Sequence, residues 1–228
     1  MQIFIDDQPV EPAPQLDGSI EESVRQLQRD VCGDGRIVVA LRCNGEEVQP
    51  EKLAEELQKP VVSLNKLELF TGLPGHLVGD AMSHAAEMLS ALDQQYPEAA
   101  TLLTEGKTNE GMNLLAACIQ VWQQVHDAVG KSIDMLELDA ESITVQDVSI
   151  VDAMERPKDV LVQLRNALQS GDFVLVADLL QYELKDVTEL WHAVVSTIRR
   201  EATRRIGNAG DGEHAGHDGI GEPGNGNA

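Results

Sequence analysis

Aromatic side chains are scarce in this chain and make up only 3% of its 228 residues. Its hydrophobic core must therefore consist mostly of leucine, valine, alanine and isoleucine. Such a core offers few flat rings on which nucleic-acid bases or sugars can stack. The apolar fraction of 42% is nevertheless ordinary, and the length suffices for one large or two small domains.

Basic side chains are also few, since 17 lysines and arginines stand against 39 aspartates and glutamates, for a formal net charge of −22. Nucleic-acid affinity depends mainly on basic side chains that displace counterions, so the composition argues against a nucleic-acid-binding protein. The same charge disfavours binding to anionic membranes and favours solubility and basic protein partners.

The chain lacks paired cysteines and long hydrophobic runs. Cys32, Cys43 and Cys118 form no Cys-x-x-Cys motif and no metal-finger spacing, which predicts reduced thiols in a cytoplasm. The N-terminal segment MQIFIDDQPVEP has no basic stretch followed by an apolar one, so we expect no signal peptide. The most apolar window, LLAACIQVWQQVHDAVG, contains glutamines and an aspartate and cannot span a bilayer. These features predict a soluble, cytoplasmic protein of bacterial type.

Three regions of different composition follow one another along the chain. Residues 1–72 mix strand and helix patterns, residues 73–206 are helical in pattern, and residues 207–228 are rich in glycine. The last region has no apolar periodicity, which predicts a disordered acidic tail. The sequence therefore predicts an α+β protein with an N-terminal mixed domain, a helical-bundle domain and a tail.

The first region alternates short strands with helices. QIFID alternates apolar and polar residues like a strand, Ser19 and Glu22 form a capping box, and NGEE indicates a turn between two strands. A helical turn beginning at Pro50 and a last strand, LNKLELFTG, follow. This order of elements resembles the ubiquitin-like β-grasp. Because the last strand continues into TGLPGHL and lacks the free Gly-Gly end of the modifiers, the resemblance implies a docking module without modifier chemistry.

The second region has the pattern of a helical bundle. Apolar periodicity predicts helices at about 75–94, 97–104, 109–136, 157–169 and 172–206. Pro97 is expected to begin the second of these helices, and an irregular segment separates the third from the fourth. Because the connections are short, neighbouring helices are expected to pack antiparallel.

Two carboxylates, Asp178 and Glu183, interrupt the aliphatic pattern of the last helix. On a wheel of about 100° per residue, Asp178 falls on the polar side, whereas Glu183 falls between Leu179 and Leu190 on the apolar arc. A buried, unpaired carboxylate is strongly destabilising. Glu183 must therefore pair with a basic group, have a raised pKa or lie at an interface, unless it bends outward or accepts an internal hydrogen bond.

His126 and Arg165 are the candidates for pairing with Glu183, because each falls at the edge of the apolar face of its own helix. We predict that one of them neutralises the Glu183 carboxylate. The alternative for His126 is an ordinary histidine satisfied within the core. A pocket between the helices around Glu183 and His126 is the arrangement that an enzyme or a small-ligand-binding protein would require.

Metal and catalytic motifs are weak in this sequence. Glu189 and His192 have the Glu-x-x-His spacing of di-iron bundles, but no second pair exists and both residues fall on the polar side of their helix. His214 and His217 in the tail are able to take up zinc or nickel only adventitiously, because nothing preorganises them. No Gly-x-Ser-x-Gly, Gly-x-Gly-x-x-Gly or complete phosphate-binding loop occurs. We therefore predict no cofactor and no enzymatic activity.

Two surface features of the last helix are candidates for docking a partner. Val174 and Leu175 fall off its main apolar stripe and widen the apolar surface, either for packing between domains or for a partner helix. Four arginines cluster near its C-terminal end, where they complement the helix dipole; the alternative is a docking patch for an acidic partner or for a second copy in a homodimer. These arginines are Arg199, Arg200, Arg204 and Arg205.

The leading hypothesis from the sequence is a non-enzymatic protein–protein interaction module, an adaptor or a chaperone-like factor. The size, acidity and helical content of the chain are similar to those of the export chaperones of flagellar and secretion systems. This similarity is an analogy of architecture without a shared motif. A small-ligand-binding protein or enzyme is the second hypothesis. A homo-oligomeric structural protein, with long helices that pair between chains, is the third.

Overall fold

The structure, a computed structural model, describes residues 1–32 and 35–210. The fold is α+β, as predicted, and two compact units hold residues 1–73 and residues 74–203. The last helix continues to Gly210, and the remainder of the predicted tail, with His214 and His217, lies outside the described residues. Among the helices that the structure describes, none combines the length and the apolar character needed to cross a membrane.

The first unit contains a five-stranded mixed sheet. Its strand order is β2-β1-β5-β3-β4, with β1 parallel to β5 and every other pair antiparallel. The strands are β1 (Gln2–Ile5), β2 (Gln8–Pro9), β3 (Ile37–Cys43), β4 (Glu46–Glu47) and β5 (Lys66–Gly72). The predicted NGEE turn is confirmed, because Asn44 and Gly45 adopt φ values of 54° and 89° between β3 and β4, the conformation that such two-residue hairpin turns require.

Two α-helices belong to the first unit, α1 (Ile20–Asp30) and α2 (Pro50–Leu57), and a short 3-10 helix (Val61–Ser63) precedes β5. The predicted capping box of α1 is confirmed, since the Glu22 N–H donates to Ser19 Oγ and the Ser19 N–H donates to Glu22 Oε2. One face of the sheet packs against α1 in a hydrophobic core. The fully buried residues of this core are Ile20, Leu27, Val61, Leu67 and Leu69.

The second unit consists of helices and one short hairpin. Its elements are α3 (Pro74–Thr104), α4 (Thr108–Met135), β6 (Thr144–Val145), β7 (Val148–Ser149), α5 (Ile150–Ser170), α6 (Phe173–Asp178), a π turn (Leu179–Glu183) and α7 (Leu184–Gly210). The predicted single helix at 172–206 is therefore α6, the π turn and α7 in succession. A hydrophobic core shared by α3, α4, α5, α6 and α7 holds the unit together.

The predicted break in the helix before Pro97 is wrong, because α3 continues through that residue. A proline inside a helix supplies no N–H and leaves the carbonyl four residues earlier without its usual partner. Buried side chains such as Tyr96 and Leu103, on either side of Pro97, join the core of the unit. This packing outweighs the local preference of proline to begin a helix.

The helix α5 begins at Ile150, seven residues before the predicted start at about 157. Ser149 caps it by accepting a hydrogen bond from the Asp152 N–H at 3.0 Å, as serine does at many helix N-termini. Pro157 therefore lies inside α5 and not at its first turn. Because α5 begins earlier than predicted, Pro157 lies within the helix, on the wall of the groove described below.

Gly111, in the first turns of α4, marks a close approach to the end of α3. A β-carbon at this position would lie 2.7 Å from Leu103 Cγ and 3.2 Å from the Leu103 backbone nitrogen. Leu103 is itself buried, so neither its branch point nor its backbone has space to move away. Glycine is thus required here by packing between the two helices.

We expect Gly111→Ala to lower the free energy of unfolding by about 1–3 kcal/mol, because the added methyl overpacks the contact with Leu103. Gly79→Ala on α3 is the matched control, since no heavy atom lies within 4 Å of its added β-carbon. The control should gain up to about 1 kcal/mol from the better helix propensity of alanine. Urea denaturation of both variants measures the two effects, and a stabilising Gly111→Ala would contradict the close approach.

Candidate functional site in a groove between two helices

A groove lies between α4 and α5 in the helical unit. Its two adjoining sections, of about 440 and about 160 Å³, share His126, Pro157 and Leu161. The larger section is also lined by Met154, Glu155, Lys158, Val162 and Arg165. The smaller section is also lined by Ile119, Trp122, Gln123 and Asp127. The α5 residues that line the two sections recur at spacings of three and four along the helix, so one face of α5 forms one wall of the groove.

Two basic side chains of α5 stand beside the apolar lining of this groove. Lys158 Nζ lies 3.1 Å from Glu155 Oε2 in an exposed ion pair, an interaction that stabilises proteins only weakly in water. Arg165 is exposed and forms no hydrogen bond or ion pair with the residues that the structure describes. The larger section of the groove therefore combines apolar surface with one positive charge, that of Arg165, that is available to a ligand.

Two tryptophans connect the groove to the hydrophobic core. Trp122 lines the smaller section and contacts Trp191 edge to face, with ring centroids 5.1 Å apart. Trp191 is fully buried. The His126 ring lies 5.6 Å from the Trp191 ring at an angle of 30°, although His126 as a whole is exposed. One side of the groove is thus held by rings whose positions the core determines.

Pro157 explains how Trp191 is held. Because proline has no N–H, the carbonyl of Ala153 one turn earlier lacks its helical hydrogen bond. The Trp191 Nε1–H donates to that carbonyl at 3.0 Å. The indole N–H and the carbonyl are both buried, and each would be destabilising without a partner. The Ala153 carbonyl that Pro157 leaves free in α5 and the indole N–H of Trp191 in α7 therefore serve as each other's hydrogen-bond partners.

The buried hydroxyl of Tyr96 on α3 completes this arrangement. The Trp122 Nε1–H donates to Tyr96 Oη, and Thr188 Oγ1 lies 3.4 Å from the same oxygen. The Thr188 hydroxyl donates to the Leu184 carbonyl at 2.7 Å. Burial raises the pKa of Tyr96 well above its ordinary value, so the hydroxyl stays neutral. The network has a structural role, because it orients Trp122 within the groove lining.

Comparison with known families identifies the segment that holds this groove. Residues 80–194, about half of the chain, match a family described as a domain of unknown function, DUF8042. The chain belongs to the DUF8042 family. Residues 1–72 match a second family, described as the TP0873 N-terminal domain. No curated protein and no solved structure matches the chain.

The DUF8042 segment contains all three residues that were predicted to form a buried polar group, but it does not bring them together. His126 and Arg165 both line the groove, whereas Glu183 does not. Glu183 is exposed, and it forms no ion pair or hydrogen bond within residues 1–32 and 35–210. The predictions that Glu183 is buried and that His126 or Arg165 neutralises it are therefore wrong, and the alternative in which Glu183 turns outward is the one observed.

The π turn is the physical reason for the outward position of Glu183. The Leu184 N–H donates to the carbonyl of Leu179, five residues earlier, and not to a carbonyl four residues earlier. A π turn accommodates one additional residue, so Leu184 follows Leu179 on the buried side and Glu183 points to solvent. A helical wheel with a constant rotation per residue misplaces Glu183 for this reason.

His126 and Arg165 are also exposed and not buried. The His126 ring still contacts the core through its tilted stacking on Trp191. Its assignment as a satisfied core histidine is wrong, because the groove opens its ring to solvent. Arg165 remains at the edge of the apolar face of α5, as its position on the helical wheel indicates, and its exposed side chain lines the larger section of the groove.

The residues predicted to dock a partner lie on the surface of the described chain. Val174 and Leu175 are 68% and 43% exposed. The side chains of Arg199, Arg200, Arg204 and Arg205 are exposed as well. Arg200 donates a hydrogen bond to Thr197 Oγ1 at 3.4 Å, and Arg199 lines a shallow depression beside α3. Their role in docking stays a prediction.

No metal centre is formed by the residues that the structure describes, since they contain no group of three or more suitable ligands. His192 Nε2 lies 3.2 Å from Oδ2 of Asp93 as an isolated pair. Burial raises the pKa of the Cys118 thiol to about 11, so this thiol is protonated and poorly nucleophilic at neutral pH.

The sequence-based reasoning missed the residues that organise the groove, Pro157, Ala153 and Trp191. A signal for Pro157 was present in the sequence, because Ser149 and Asp152 fit a helix N-terminus upstream of it. Extending α5 back to that cap would have placed the proline inside the helix and freed the carbonyl of Ala153. Its indole partner on α7 had no local signal, since the two residues are 38 positions apart.

We expect the effects of Trp191→Phe and Pro157→Ala on stability to be coupled. Trp191→Phe leaves the Ala153 carbonyl unpaired and should lower the free energy of unfolding by about 1–3 kcal/mol beyond the loss of packing. In a Pro157→Ala background the backbone N–H introduced at position 157 satisfies that carbonyl, so Trp191→Phe should be less destabilising. A double-mutant cycle in urea measures this coupling, expected at about 1 kcal/mol.

Pro97→Ala supplies the control for this cycle, because Pro97 also lies inside a helix but frees a different carbonyl. Its effect should be additive with that of Trp191→Phe. Additivity in the Pro157 cycle as well would show that the freed carbonyl does not hold Trp191.

Proposed function

We propose that this chain is a non-enzymatic protein–protein interaction module of a bacterial cytoplasm, and that its α4–α5 groove binds an amphipathic segment of a partner protein. The observation that supports this proposal most is the apolar lining of the groove beside the unpaired Arg165. The expected partner segment presents an apolar stripe flanked by carboxylates.

The apolar part of the groove favours contact with side chains of a partner. Met154 and Leu161 are only partly buried, and Val162 is 43% exposed. Covering such surface is favourable by about 25 cal/mol for each Å² removed from water. The groove is an open channel along a helix and not a closed cavity, which suits a chain segment that enters from the side.

The charge around the groove is unusual for this protein. Residues 74–198 contain twenty acidic and only six basic residues, yet Lys158 and Arg165 both line the groove. In the larger section of the groove Glu155 pairs with Lys158, so Arg165 leaves one net positive charge there. This charge favours a segment with a correctly placed carboxylate. We therefore assign the groove to an acidic amphipathic segment.

The first unit is proposed to be a β-grasp-like docking domain. Its sheet order β2-β1-β5-β3-β4, the parallel pairing of β1 with β5 and the packing of α1 on one face support this proposal. A catalytic or small-ligand site around Glu183 and His126 has less support, because Glu183 does not reach the groove.

Arg165→Glu tests the proposal through charge. Affinity capture from the native lysate, with quantitative mass spectrometry, should recover a stoichiometric partner with the natural chain and at least about tenfold less with Arg165→Glu, because the reversed charge repels the partner's carboxylates. Arg156→Glu is the matched control, since Arg156 is exposed on the same helix but does not line the groove. It should retain the partner.

Val162→Asp tests the apolar contribution in the same assay. Val162 lines the groove, whereas Val151 is similarly exposed on α5 at 40% and does not, so Val151→Asp is the control. Partner recovery should fall only with Val162→Asp. The proposal would be overturned if both groove variants, Arg165→Glu and Val162→Asp, recovered as much partner as the natural chain does. It would also be overturned if native mass spectrometry found a small amphiphile bound in place of a protein.

A further inference from the structure

A second exposed apolar surface lies on α6 and the π turn. Val174, Leu175 and Tyr182 are 68%, 43% and 63% exposed. We call these residues, with Asp178 and Glu183, the α6 surface. None of them lines the α4–α5 groove, so the α6 surface is separate from the proposed docking groove.

The α6 surface has the dimensions of a short helix-binding site. Val174, Asp178 and Tyr182 follow one another at intervals of four residues, and Leu175 flanks Val174. The distance from Val174 to Tyr182 along the helix is roughly 12 Å at about 1.5 Å per residue. Two turns of a partner helix, with apolar residues seven or eight positions apart, span the same distance.

The π turn is responsible for the exposure of Tyr182 and Glu183. Its additional residue keeps Leu180 and Leu184 on the buried side while these two side chains point outward. A π turn is rare and less favourable than regular helix, and such turns occur frequently at functional sites. Packing alone gives no reason to place a large aromatic side chain in water here.

Charge complementarity identifies the sign of the partner. Asp172, Asp178, Glu183 and Asp186 lie on the same stretch of chain as the exposed apolar residues, and Lys185 is the single basic residue between positions 172 and 189. Within the described ranges, Asp178 and Glu183 form no hydrogen bond or ion pair. Their charges are therefore available to basic groups. A second copy of this chain is a poor occupant, because its net charge of −22 opposes approach.

We infer that the α6 surface binds a basic amphipathic helix of a partner protein, with Val174, Leu175 and Tyr182 covering its apolar face and Asp178 and Glu183 pairing with its lysines or arginines. The net charge of the chain attracts such a helix from a distance. The apolar residues and the two carboxylates then determine where it docks.

A synthetic helical peptide with leucine on one face and lysine on the other is the probe. Fluorescence anisotropy at about 0.15 M salt, where long-range attraction is screened, should show binding to the natural chain. A peptide with glutamate in place of lysine should bind at least about tenfold more weakly. Asp178→Lys combined with Glu183→Lys should weaken binding of the lysine peptide by at least about tenfold.

The matched control is Glu98→Lys combined with Glu110→Lys, which changes the net charge by the same amount at exposed positions on α3 and α4. Binding of the lysine peptide should change by less than about threefold with this control. Tyr182→Ser tests the apolar contact and should weaken binding, whereas Val151→Ser, at an exposed position on α5, should not. Circular dichroism verifies that each variant is folded.

Equal loss of binding in the two charge-reversed pairs would overturn the inference, because the peptide would then be responding only to net charge. Unchanged binding by Tyr182→Ser would overturn it as well. Sedimentation of the natural chain should show a monomer at the concentrations of the assay. A dimer that Tyr182→Ser dissociates would assign the α6 surface to a second copy in place of a basic partner.

Discussion

The hydrogen bond from Trp191 to the carbonyl of Ala153 is the interaction on which the helical unit depends. Pro157 makes that carbonyl available, and the buried indole would otherwise lack an acceptor. Trp191 in turn positions Trp122, whose own N–H is satisfied by Tyr96. One side chain or carbonyl from each of α3, α4, α5 and α7 thus takes part in a single buried arrangement, which joins these helices within their shared hydrophobic core.

Both proposed docking surfaces arise where a helix departs from regular geometry. The proline in α5 lies in the lining of the α4–α5 groove, and the π turn exposes Tyr182 and Glu183 on the α6 surface. Each irregularity loses a regular backbone hydrogen bond, and the core compensates through packing and side-chain donors. Surfaces of this kind are stable because the buried side of each helix, and not its backbone regularity, contributes most to stability.

The groove and the α6 surface both lie within the DUF8042 segment, residues 80–194, and they differ in the charges that they offer to a partner. The larger section of the groove offers the unpaired Arg165, whereas the α6 surface offers Asp178 and Glu183. Surfaces that offer charges of opposite sign are suited to two different partners and select against exchange between them. This arrangement is consistent with the proposed role as an adaptor.

Local chemistry was enough to predict several parts of this protein. Ser19 and Glu22 cap α1, and Asn44 with Gly45 turns the chain between β3 and β4, because both motifs involve neighbouring residues. The sequence by itself also determined the α+β class and the apolar helical faces, through periodicity and composition. Only the tertiary structure decided that α3 continues through Pro97 and that Glu183 points outward, because long-range packing there outweighs local preference and alters the rotation per residue on which sequence patterns rely.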